Sequence, residues 1–483
     1  MTEHSPTAIP MPVRVPETPD KLEANAIGVA QDTIIGLASS APAATIAVTL
    51  AALAATAAYG GGPVIVLCGI PMLVLANTYR RLNLWNANCG ASFEWVGRAI
   101  NPYLGFLTGW LMLAGCLTGT ISVVVVLSPA VLDVFGASAT STWPNIAIST
   151  GVIVVMAVIA AIGIRITAHT QVGMAVIEYV VLIGFTAWAL VEVLRHGAGT
   201  FPITRSWFSL TGIDGKGNVA QGLLIAVFMY TGWDATVYVN EEVTHRRVNP
   251  GRAAVFAVAL LIILYAVPQV AMQGVASPAR LQAHSSSALV FVAQVVGGGG
   301  WAKVMAFALA LSVIASTGIG IVITSRIAYG MASHQVLPSA FANVSPRHRT
   351  PVTGTAIIAV ILIAATWAYL LSSSIANVFT DVVSVTGLLF ATFYLLTALS
   401  AVTYYRRRIF SQFRDGVVVG VLPLAAAVFL GWVIVKSLQT APASEKWSIV
   451  GILGVGLVLM VVARVGLRAP FFSIPRESAS REG

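Results

Sequence analysis

IIGLASSAPAATI at residues 34–46 and AVFMYTGWD at residues 226–234 are two apolar stretches that are interrupted near their centres. A proline or glycine inside a membrane span leaves backbone groups that lipid cannot satisfy. Such breaks therefore occur where protein or a polar cavity surrounds them. Breaks at corresponding positions of two chain halves are the best indication in a sequence of a transporter's binding site. The two stretches predict a polytopic membrane protein with a central site.

The composition indicates the same class of protein. Of the 483 residues, 57% are hydrophobic and only 9% are charged, whereas soluble domains carry roughly 25% charged residues. The net charge of +9 does not indicate nucleic-acid binding, because the basic residues lie between apolar runs. Cys68, Cys89 and Cys116 have no ligand spacing and are interpreted as packing residues. Residues 1–25 are polar, which predicts a disordered cytoplasmic tail without a cleavable signal.

Twelve apolar runs are long enough to cross ~30 Å of hydrocarbon. No stretch between them is long enough to build a soluble domain. The predicted spans cover residues 27–58, 63–79, 95–127, 146–163, 171–194, 219–240, 253–275, 301–330, 352–371, 378–403, 417–438 and 449–467.

The basic residues predict the orientation in the membrane. With both termini cytoplasmic, 20 of the 27 Lys and Arg residues lie on the inner side, in agreement with the positive-inside rule. A short amphipathic stretch at residues 285–294, closed by four glycines at 297–300, is interpreted as an external helix across the mouth of the pathway or as a simple surface helix. The seven basic residues left outside are Arg195, Arg205, Lys216, Arg280, Lys303, Lys436 and Lys446.

Several groups of residues, in order along the chain, resemble the amino acid–polyamine–organocation permeases, and the resemblance covers nearly all of the sequence. One such group alone would be weak evidence for the family. Together they are strong evidence, because they occur in order at matching spans of a twelve-span chain. They are residues 79–83 (YRRLN) with 90–99 (GASFEWVGRA), 101–110 (NPYLGFLTGW), 230–235 (YTGWDA) with 240–243 (NEEV) and 249–253 (NPGRA), and 325–332 (SRIAYGMA) with 337–338 (LP) and 348–351 (HRTP).

The resemblance implies an all-α fold of the LeuT type. Spans 1–5 (residues 26–194) and spans 6–10 (residues 195–403) would form a five-plus-five inverted repeat. Spans 11 and 12 (residues 404–467) would be peripheral, followed by a cytoplasmic tail over 468–483. Substrate would bind at the midplane between broken spans 1 and 6, lined also by spans 3, 8 and 10. The expected substrate-binding residues are Ser39, Ser40, Ala41, Pro42, Met229, Tyr230, Thr231, Gly232 and Trp233.

The chemistry of the two breaks suits a zwitterion. A half-helix that begins near Ala43 would present unsatisfied amides and a partial positive charge to a substrate carboxylate. Free carbonyls at the half-helix ends suit an ammonium group. Trp233 and Tyr230 can close over the ligand and add a cation–π energy of ~0.5–2 kcal/mol. These features predict a secondary active permease of the plasma membrane that takes up amino acids by alternating access, coupled to protons.

The span 1 break departs from the family pattern. Many members carry a glycine-rich break whose bare amides grip the carboxylate. Here the break reads SSAP at residues 39–42, in which proline supplies no amide and serine hydroxyls can substitute. Some members with proline at this point handle amines such as putrescine, so a polyamine or amine importer stays open as the alternative substrate class. The alternative for Pro42 itself is a plain helix kink.

The coupling residue is the second departure. Some members carry a lysine in span 5, whereas this chain carries Glu178, roughly 10–13 Å along that helix. An ionised carboxylate at such depth is costly, so it should face protein or water. Glu178 is either the proton-coupling residue or a structural residue hydrogen-bonded to the backbone of span 1. Three hydroxyls of span 8 either line the site, even around a sodium ion, or bond to their own helix: Ser312, Ser316 and Thr317.

The remaining acids are candidates for gating or helix capping. Asp234 directly follows the span 6 break, so it either caps the inner half-helix or binds a cationic end of the substrate. Glu241 and Glu242, near Arg246 and Arg247, form a salt-bridge gate or are solvated loop charges. The same alternatives hold for two further acids near that boundary: Asp32 and Glu94.

Other classes of function are less favoured. No cluster of catalytic residues or metal ligands is visible, so neither an enzyme nor a metal or cofactor site is expected. The sequence lacks a phosphate-binding loop for ATP. A channel, an exchanger or exporter on the same fold, and a nucleobase or cation symporter remain alternatives. The expected partners are the lipid bilayer and a small-molecule substrate, without nucleic acid, while the oligomeric state is not determined.

Overall fold

The computed structural model describes residues 21–135, 142–195, 200–210, 219–284, 288–372, 375–410 and 412–479. Within these ranges the chain is helical, and a single strand-like backbone bridge joins Ile27 to Val243. Residues 1–20 of the predicted N-terminal tail and Ser285–Ser287 of the predicted external helix lie outside the described ranges.

The first five spans follow one another through short connections. Span 1 is broken into two helices, and a short surface helix, Ser92–Ala99, which we call the elbow helix, precedes span 3. The spans are Val29–Ser40 with Pro42–Ala57, Gly61–Trp85, Pro102–Val124 continued by Leu127–Phe135, Thr142–Ile162 and Ile164–Leu194.

The second repeat and the two additional spans follow the same plan. Span 6 is again broken, and its second half is a single turn. The spans are Val219–Met229 with Ala235–Tyr238, Asn249–Val275, the part of Ala288–Ser333 after Gly298, Val352–Ser372, Ile375–Tyr404, Leu422–Thr440 and Ala443–Val461.

The count of twelve spans agrees with the hydropathy of the helices. Ten helices among the described residues are long and apolar enough to cross a membrane. One of them, Val29–Trp85, contains both span 1 and span 2, and the shorter apolar helix Val219–Met229 contributes span 6. The fold is therefore the predicted all-α arrangement with broken spans 1 and 6.

One predicted boundary needs correction and another is confirmed. Predicted span 3, residues 95–127, included part of the elbow helix, but the chain turns between them. Pro102 begins span 3, and the Asn101 side chain accepts a hydrogen bond from the Tyr103 amide as the N-cap, a combination that starts a new helix. The four glycines close the external stretch as predicted: Gly298 has a non-helical backbone conformation (φ 75°, ψ −173°), and span 8 begins directly after it.

Several spans of the first repeat pack against the equivalent span of the second. Span 2 lies along span 7, while span 3 lies against spans 8 and 10, and span 4 against span 9. Span 12 is peripheral, and its contact with span 3 includes a hydrogen bond from the Trp110 indole to the Ile452 carbonyl, 2.7 Å long. Spans 4, 5, 9, 11 and 12 expose large apolar side chains such as Val155, Val180 and Val360, as a surface in contact with lipid would.

One end of the molecule collects most of the basic loops, and we call it the basic face. It is defined by residues 80–100, 240–252, 334–350 and 404–414 together with the C-terminal residues 470–479. Contacts join these segments: the Asn83 amide donates to the Arg246 carbonyl (2.8 Å) and the Tyr405 hydroxyl to the Arg81 carbonyl (3.0 Å). The opposite end is the far face.

Candidate functional site

The break in span 1 lies at Ala41, which adopts the left-handed conformation (φ 45°, ψ 66°). That conformation costs an alanine about 1–2 kcal/mol. Pro42 then begins the second helix, where its missing N–H is harmless. The freed carbonyl of Ser40 accepts hydrogen bonds from the Thr45 hydroxyl (2.7 Å) and the Tyr265 hydroxyl (3.0 Å). The break therefore separates two helices through a left-handed residue and is not a plain proline kink.

The two breaks touch each other. Gly232, in the span 6 break, has φ 99°, and a Cβ atom there would lie 2.8 Å from the carbonyl carbon and hydroxyl of Ser39. Only glycine combines that backbone conformation with such a close approach. The two interrupted stretches, far apart in sequence, therefore meet at the centre of the molecule.

A small cavity lies beside this junction. It has about 50 Å³ accessible to the centres of water-sized atoms, compared with roughly 10–15 Å³ for one water by the same measure. Spans 1, 3, 6, 8 and 10 all contribute to its wall, as the resemblance implied. The lining residues are Ser39, Ser40, Ala41, Thr45, Gly115, Cys116, Gly119, Thr120, Val123, Phe228, Thr231, Gly232, Asp234, Tyr238, Ser316, Gly320, Ile323 and Phe390.

Four of the predicted site residues do not line the cavity: Pro42, Met229, Tyr230 and Trp233. In span 6 the helix ends at Met229, and the turns that follow place Thr231 and Asp234 at the cavity beside Phe228. Tyr230 and Trp233 point instead towards span 2, where Trp233 contacts Tyr79. The Tyr230 hydroxyl donates to the Ile65 carbonyl, 3.0 Å away.

Trp233 is completely buried within an aromatic cluster. Its ring lies 5.0 Å edge-on from that of Tyr79 and 5.5 Å from the stacked ring of Tyr394. The indole N–H has no hydrogen-bond partner among the described residues. Phe228 therefore supplies the aromatic wall of the cavity that was expected from Trp233.

Asp234 does not cap the helix that follows it, in contrast to one of the predicted alternatives. It occupies the N-cap position without a capping hydrogen bond. Its Oδ2 accepts from the Tyr238 hydroxyl (2.6 Å) and its Oδ1 from the Tyr394 hydroxyl (2.9 Å). Because both oxygens are held by tyrosines of spans 6 and 10, the carboxylate is fixed at the cavity wall.

Glu178 reaches the start of the second half of span 1. Its Oε1 accepts from the Ala43 amide (3.0 Å) and from the Ser312 hydroxyl (2.8 Å). Ser312 in turn accepts from the Ala44 amide, 3.3 Å away. The amides predicted to receive a substrate carboxylate are therefore occupied by these side chains. Glu178 Oε2 is buried without a partner among the described residues.

The span 8 hydroxyls are divided between the two predicted roles. Ser316 lines the cavity, while Ser312 binds Glu178 and Thr317 does neither. Both Ser316 and Thr317 donate to the Val313 carbonyl of their own helix (3.1 and 2.7 Å), which is the back-bonding alternative.

The acidic pair after span 6 has a partner that the prediction did not name. Glu242 forms a two-pronged ion pair with Arg326 of span 8, at 2.9 and 3.1 Å, and both side chains are 0% exposed. Glu241 accepts from the Cys89 amide (3.2 Å). Arg246 and Arg247, the predicted partners, are exposed. Glu242 is thus not a solvated loop charge, because it is paired across the boundary between spans 6 and 8.

Two other acids also differ from the prediction of solvated charges. Asp32 lies inside the first half of span 1, fully buried, and neither oxygen has a partner among the described residues. Glu94 on the elbow helix is buried and paired with Arg98 (2.5 Å) and with His334. Asp32 lies within predicted span 1, whereas Glu94 lies one residue before predicted span 3, on the elbow helix.

Some functional positions had a sequence signal that was not used. The cavity wall of span 3 consists of Gly115, Cys116, Gly119 and Thr120, a stripe of small residues at helical spacing. Arg326 was counted with the basic loops, although it falls inside predicted span 8, where an ionisable residue is by default a functional candidate. Phe228 had no comparable signal, since many apolar residues surround it.

Comparison with known proteins identifies relatives along the whole chain. Residues 31–472 match the amino acid permease family. The chain is 24% identical over 359 residues to the D-serine/D-alanine/glycine transporter of Escherichia coli K12. The alignment covers 71% of this chain and 73% of that protein. It is 29% identical over 136 residues to human Asc-type amino acid transporter 1, covering 28% of this chain and 26% of that one.

A solved structure with the same architecture is the manganese transporter of Eremococcus coleocola. The TM-score is 0.59 at 12% identity, with 91% of this chain and 95% of that chain covered. At this identity the likeness shows the fold alone. Across the described ranges, no group of three or more His, Cys, Asp or Glu residues is arranged to hold a metal ion.

Proposed function

This chain belongs to the amino acid permease family, and we propose that it is a secondary active transporter of small neutral amino acids. The observation that carries the proposal is the cavity at the meeting point of the two broken spans, whose mainly apolar wall contains the carboxylate of Asp234 and several hydroxyls. Transport would proceed by alternating access, in which one group of spans moves against the other around this fixed site.

The size of the cavity supports a small substrate. Its roughly 50 Å³ holds the equivalent of about four waters by the measure used for buried solvent. Glycine, alanine and serine are of this order, whereas an extended polyamine is far longer. The relative named for D-serine, D-alanine and glycine agrees with that choice.

The polar groups of the wall support recognition of a zwitterion. The carboxylate of Asp234 is the charged group of the wall and would attract the substrate ammonium. The Ser39 hydroxyl would receive the carboxylate, because the Ala43 and Ala44 amides are already engaged. The hydroxyls of Thr231 and Ser316 would join it by rotating away from the Phe228 and Val313 carbonyls, to which they donate in this structure. An amine without a carboxylate is the alternative that the position of Asp234 also favours.

Proton coupling is assigned to Glu178. Its Oε1 accepts from a span 1 amide and a span 8 hydroxyl. Protonation of the carboxyl weakens both hydrogen bonds, since bonds to a charged acceptor are roughly twice as strong as neutral ones. Gain or loss of a proton would thereby shift the second half of span 1 relative to spans 5 and 8. The unpartnered Oε2 is available to carry that proton.

We assign the basic face to the cytoplasm and the protein to the plasma membrane, with both termini inside. The charge asymmetry of the loops supports this orientation. In this arrangement the buried Glu242–Arg326 pair would close the inner side of the pathway. The direction of transport depends on the gradients, and we propose uptake rather than exchange or export.

An uptake screen in proteoliposomes tests the function. Labelled glycine, alanine, serine, larger amino acids, putrescine and a nucleobase are offered with and without an inward proton gradient. We expect accumulation of the small amino acids alone, driven by the gradient. Accumulation of putrescine but not of amino acids would identify an amine carrier, and a response to sodium but not to pH would refute proton coupling.

A binding measurement complements the screen. Cys116 lines the cavity, while Cys68 and Cys89 are fully buried elsewhere. Bound substrate should slow the alkylation of Cys116, followed by peptide mapping, and should leave that of Cys68 unchanged. No protection by any amino acid at saturating concentration would contradict the assignment of the cavity.

A further inference from the structure

The C-terminal residues 470–479, which we call the strap, lie across the basic face. Phe471 and Phe472 anchor the beginning of the strap. The Phe471 ring stacks on that of Phe93 of the elbow helix, 4.2 Å between centroids, and is 1% exposed. It lies so close to Gly97 that a Cβ there would be 2.6 Å from the ring. The strap is therefore docked with the packing density of a protein core rather than lying loosely on the surface.

The end of the strap makes polar contacts with three different elements. Glu477 accepts from Arg98 of the elbow helix (2.7 Å) and from the indole of Trp85, the last residue of span 2 (3.2 Å). The Glu477 amide donates to the Arg98 carbonyl (2.8 Å), and the Ala479 amide to the carbonyl of Tyr404 at the end of span 10 (3.0 Å). One carboxylate thus joins span 2 to the elbow helix.

The joined elements have different main packing partners. Span 2 lies along span 7, whereas the elbow helix packs on spans 3 and 10. Where they approach each other, Trp85 at the end of span 2 also stacks on Tyr404 of span 10, 3.8 Å between centroids. Glu94 of the elbow helix is also paired with His334, which follows span 8. Alternating access requires that such elements move relative to each other. A bond from Glu477 to both Trp85 and Arg98 opposes that movement on the basic face.

We propose that the strap is a latch that holds the basic face closed, and that Glu477 must release Trp85 or Arg98 before the pathway can open there. The aromatic end of the strap stays anchored, while the Glu477 side chain, 39% exposed, is the releasable end. An ion pair at this exposure is worth at most a modest free energy, which suits a contact that must break in every cycle. The part of the test that measures substrate exchange rests on the proposed function.

Cys89 is a natural reporter of opening. It is fully buried in the loop between span 2 and the elbow helix. Its amide donates to Glu241 after span 6 (3.2 Å), and Gly330 of span 8 packs against the adjoining Gly90 backbone. Burial, with Glu241 beside it, raises the pKa of the Cys89 thiol, so it resists alkylation in the closed state. Opening of this seam would expose it.

The experiment measures the rate of Cys89 alkylation by a water-soluble maleimide, located by peptide mapping, in the purified full-length protein without substrate. Glu477→Gln should raise the rate by roughly two- to fivefold, since an exposed pair contributes up to about that factor. A chain ending at Ala469 should raise it further, because the anchored aromatics are also lost.

Glu192→Gln is the matched control. Glu192 also accepts from a tryptophan indole, that of Trp188, at 3.2 Å, but the pair lies within one helix and joins no two elements. We expect the wild-type rate of Cys89 alkylation in this variant. In proteoliposomes, Glu477→Gln should also change the rate of substrate exchange, and Glu192→Gln should not.

Wild-type alkylation of Cys89 in both Glu477→Gln and the shortened chain would overturn the latch. Faster alkylation in Glu192→Gln to the same extent would also overturn it, because the effect would then be a general loosening. If the shortened chain is not monodisperse, the point variant decides alone. Faster Cys89 alkylation without any amino acid transport would leave the latch standing and refute the proposed function instead.

Discussion

At the scale of single residues, the most informative groups are buried side chains that bridge helices. Glu178 holds the start of the second half of span 1 through the Ala43 amide and leaves one oxygen without a partner among the described residues. Asp234 is held by two tyrosines at the cavity wall. A buried acid is costly unless its contacts or a proton compensate it, so each of these positions is expected to serve the transport cycle.

Glu178→Gln separates the two roles that the sequence left open. Glutamine keeps an oxygen that can accept from Ala43 and Ser312, but it cannot titrate. We expect that accumulation driven by a proton gradient falls to the equilibrium level, while exchange of labelled for unlabelled substrate persists. Gradient-driven accumulation that survives in the variant would make Glu178 a structural residue.

Phe228→Leu and Trp233→Phe form a pair that compares the cavity wall with the aromatic cluster. Phe228 lines the cavity and Trp233 does not. We expect Phe228→Leu to weaken substrate binding more than Trp233→Phe, and Trp233→Ala to lower the unfolding free energy by about 3–5 kcal/mol. Equilibrium binding and thermal unfolding measure the two effects. A larger loss of affinity in Trp233→Phe would return that residue to the binding site.

At the scale of elements, the two breaks form one junction. Span 1 is interrupted at Ala41, which has the left-handed conformation, and span 6 approaches it through Gly232. Neither helix is continuous, because Ala41 and Gly232 both have positive φ (45° and 99°). A Cβ at Gly232 would also collide with the Ser39 backbone. The cavity exists where the two interrupted helices leave room beside each other.

Gly232→Ala tests this junction. The positive φ and the 2.8 Å approach to Ser39 should together cost about 1–3 kcal/mol or more, so thermal stability falls and substrate binding is lost. Gly151→Ala in span 4 is the control, since nothing lies within 4 Å of its Cβ position and alanine favours the helix. Equal stability and binding in the two variants would contradict the close junction.

At the scale of the whole molecule, closure of the basic face depends on contacts between span groups. Glu242 and Arg326 are paired without solvent exposure between spans 6 and 8. Next to them, Ile27 and Val243 join the entrance of span 1 to the chain after span 6. These contacts and the strap lie on the same face, so closure is distributed over several elements.

Glu242→Gln should destabilise the closed basic face. Breaking a buried pair leaves Arg326 uncompensated, which costs roughly 3–5 kcal/mol. We expect a lower thermal midpoint and faster alkylation of Cys89. Replacement of both partners by apolar residues, Glu242→Leu with Arg326→Met, should recover much of the thermal stability. If Glu242→Gln is as stable as the wild type, the pair contributes little to closure.

The sequence by itself determined the class of fold, the number of spans and the two breaks, because these follow from local properties. Apolar length sets what can cross a bilayer, and breaks inside an apolar span occur where protein or a polar cavity surrounds them. The family pattern and Ser39, Ser40, Ala41, Thr231 and Gly232 as residues at one site were also accessible from it.

Only the tertiary structure decided which side chains face the cavity and which partners the buried charges have. Trp233 and Phe228 lie five residues apart on either side of the end of the first half of span 6, and nothing local says which one points inward. Arg326 rather than Arg246 pairs with Glu242, because spans 6 and 8 meet there although they lie 84 residues apart at this contact. Pairings of this kind depend on how whole helices pack, a property that no single stretch of sequence contains.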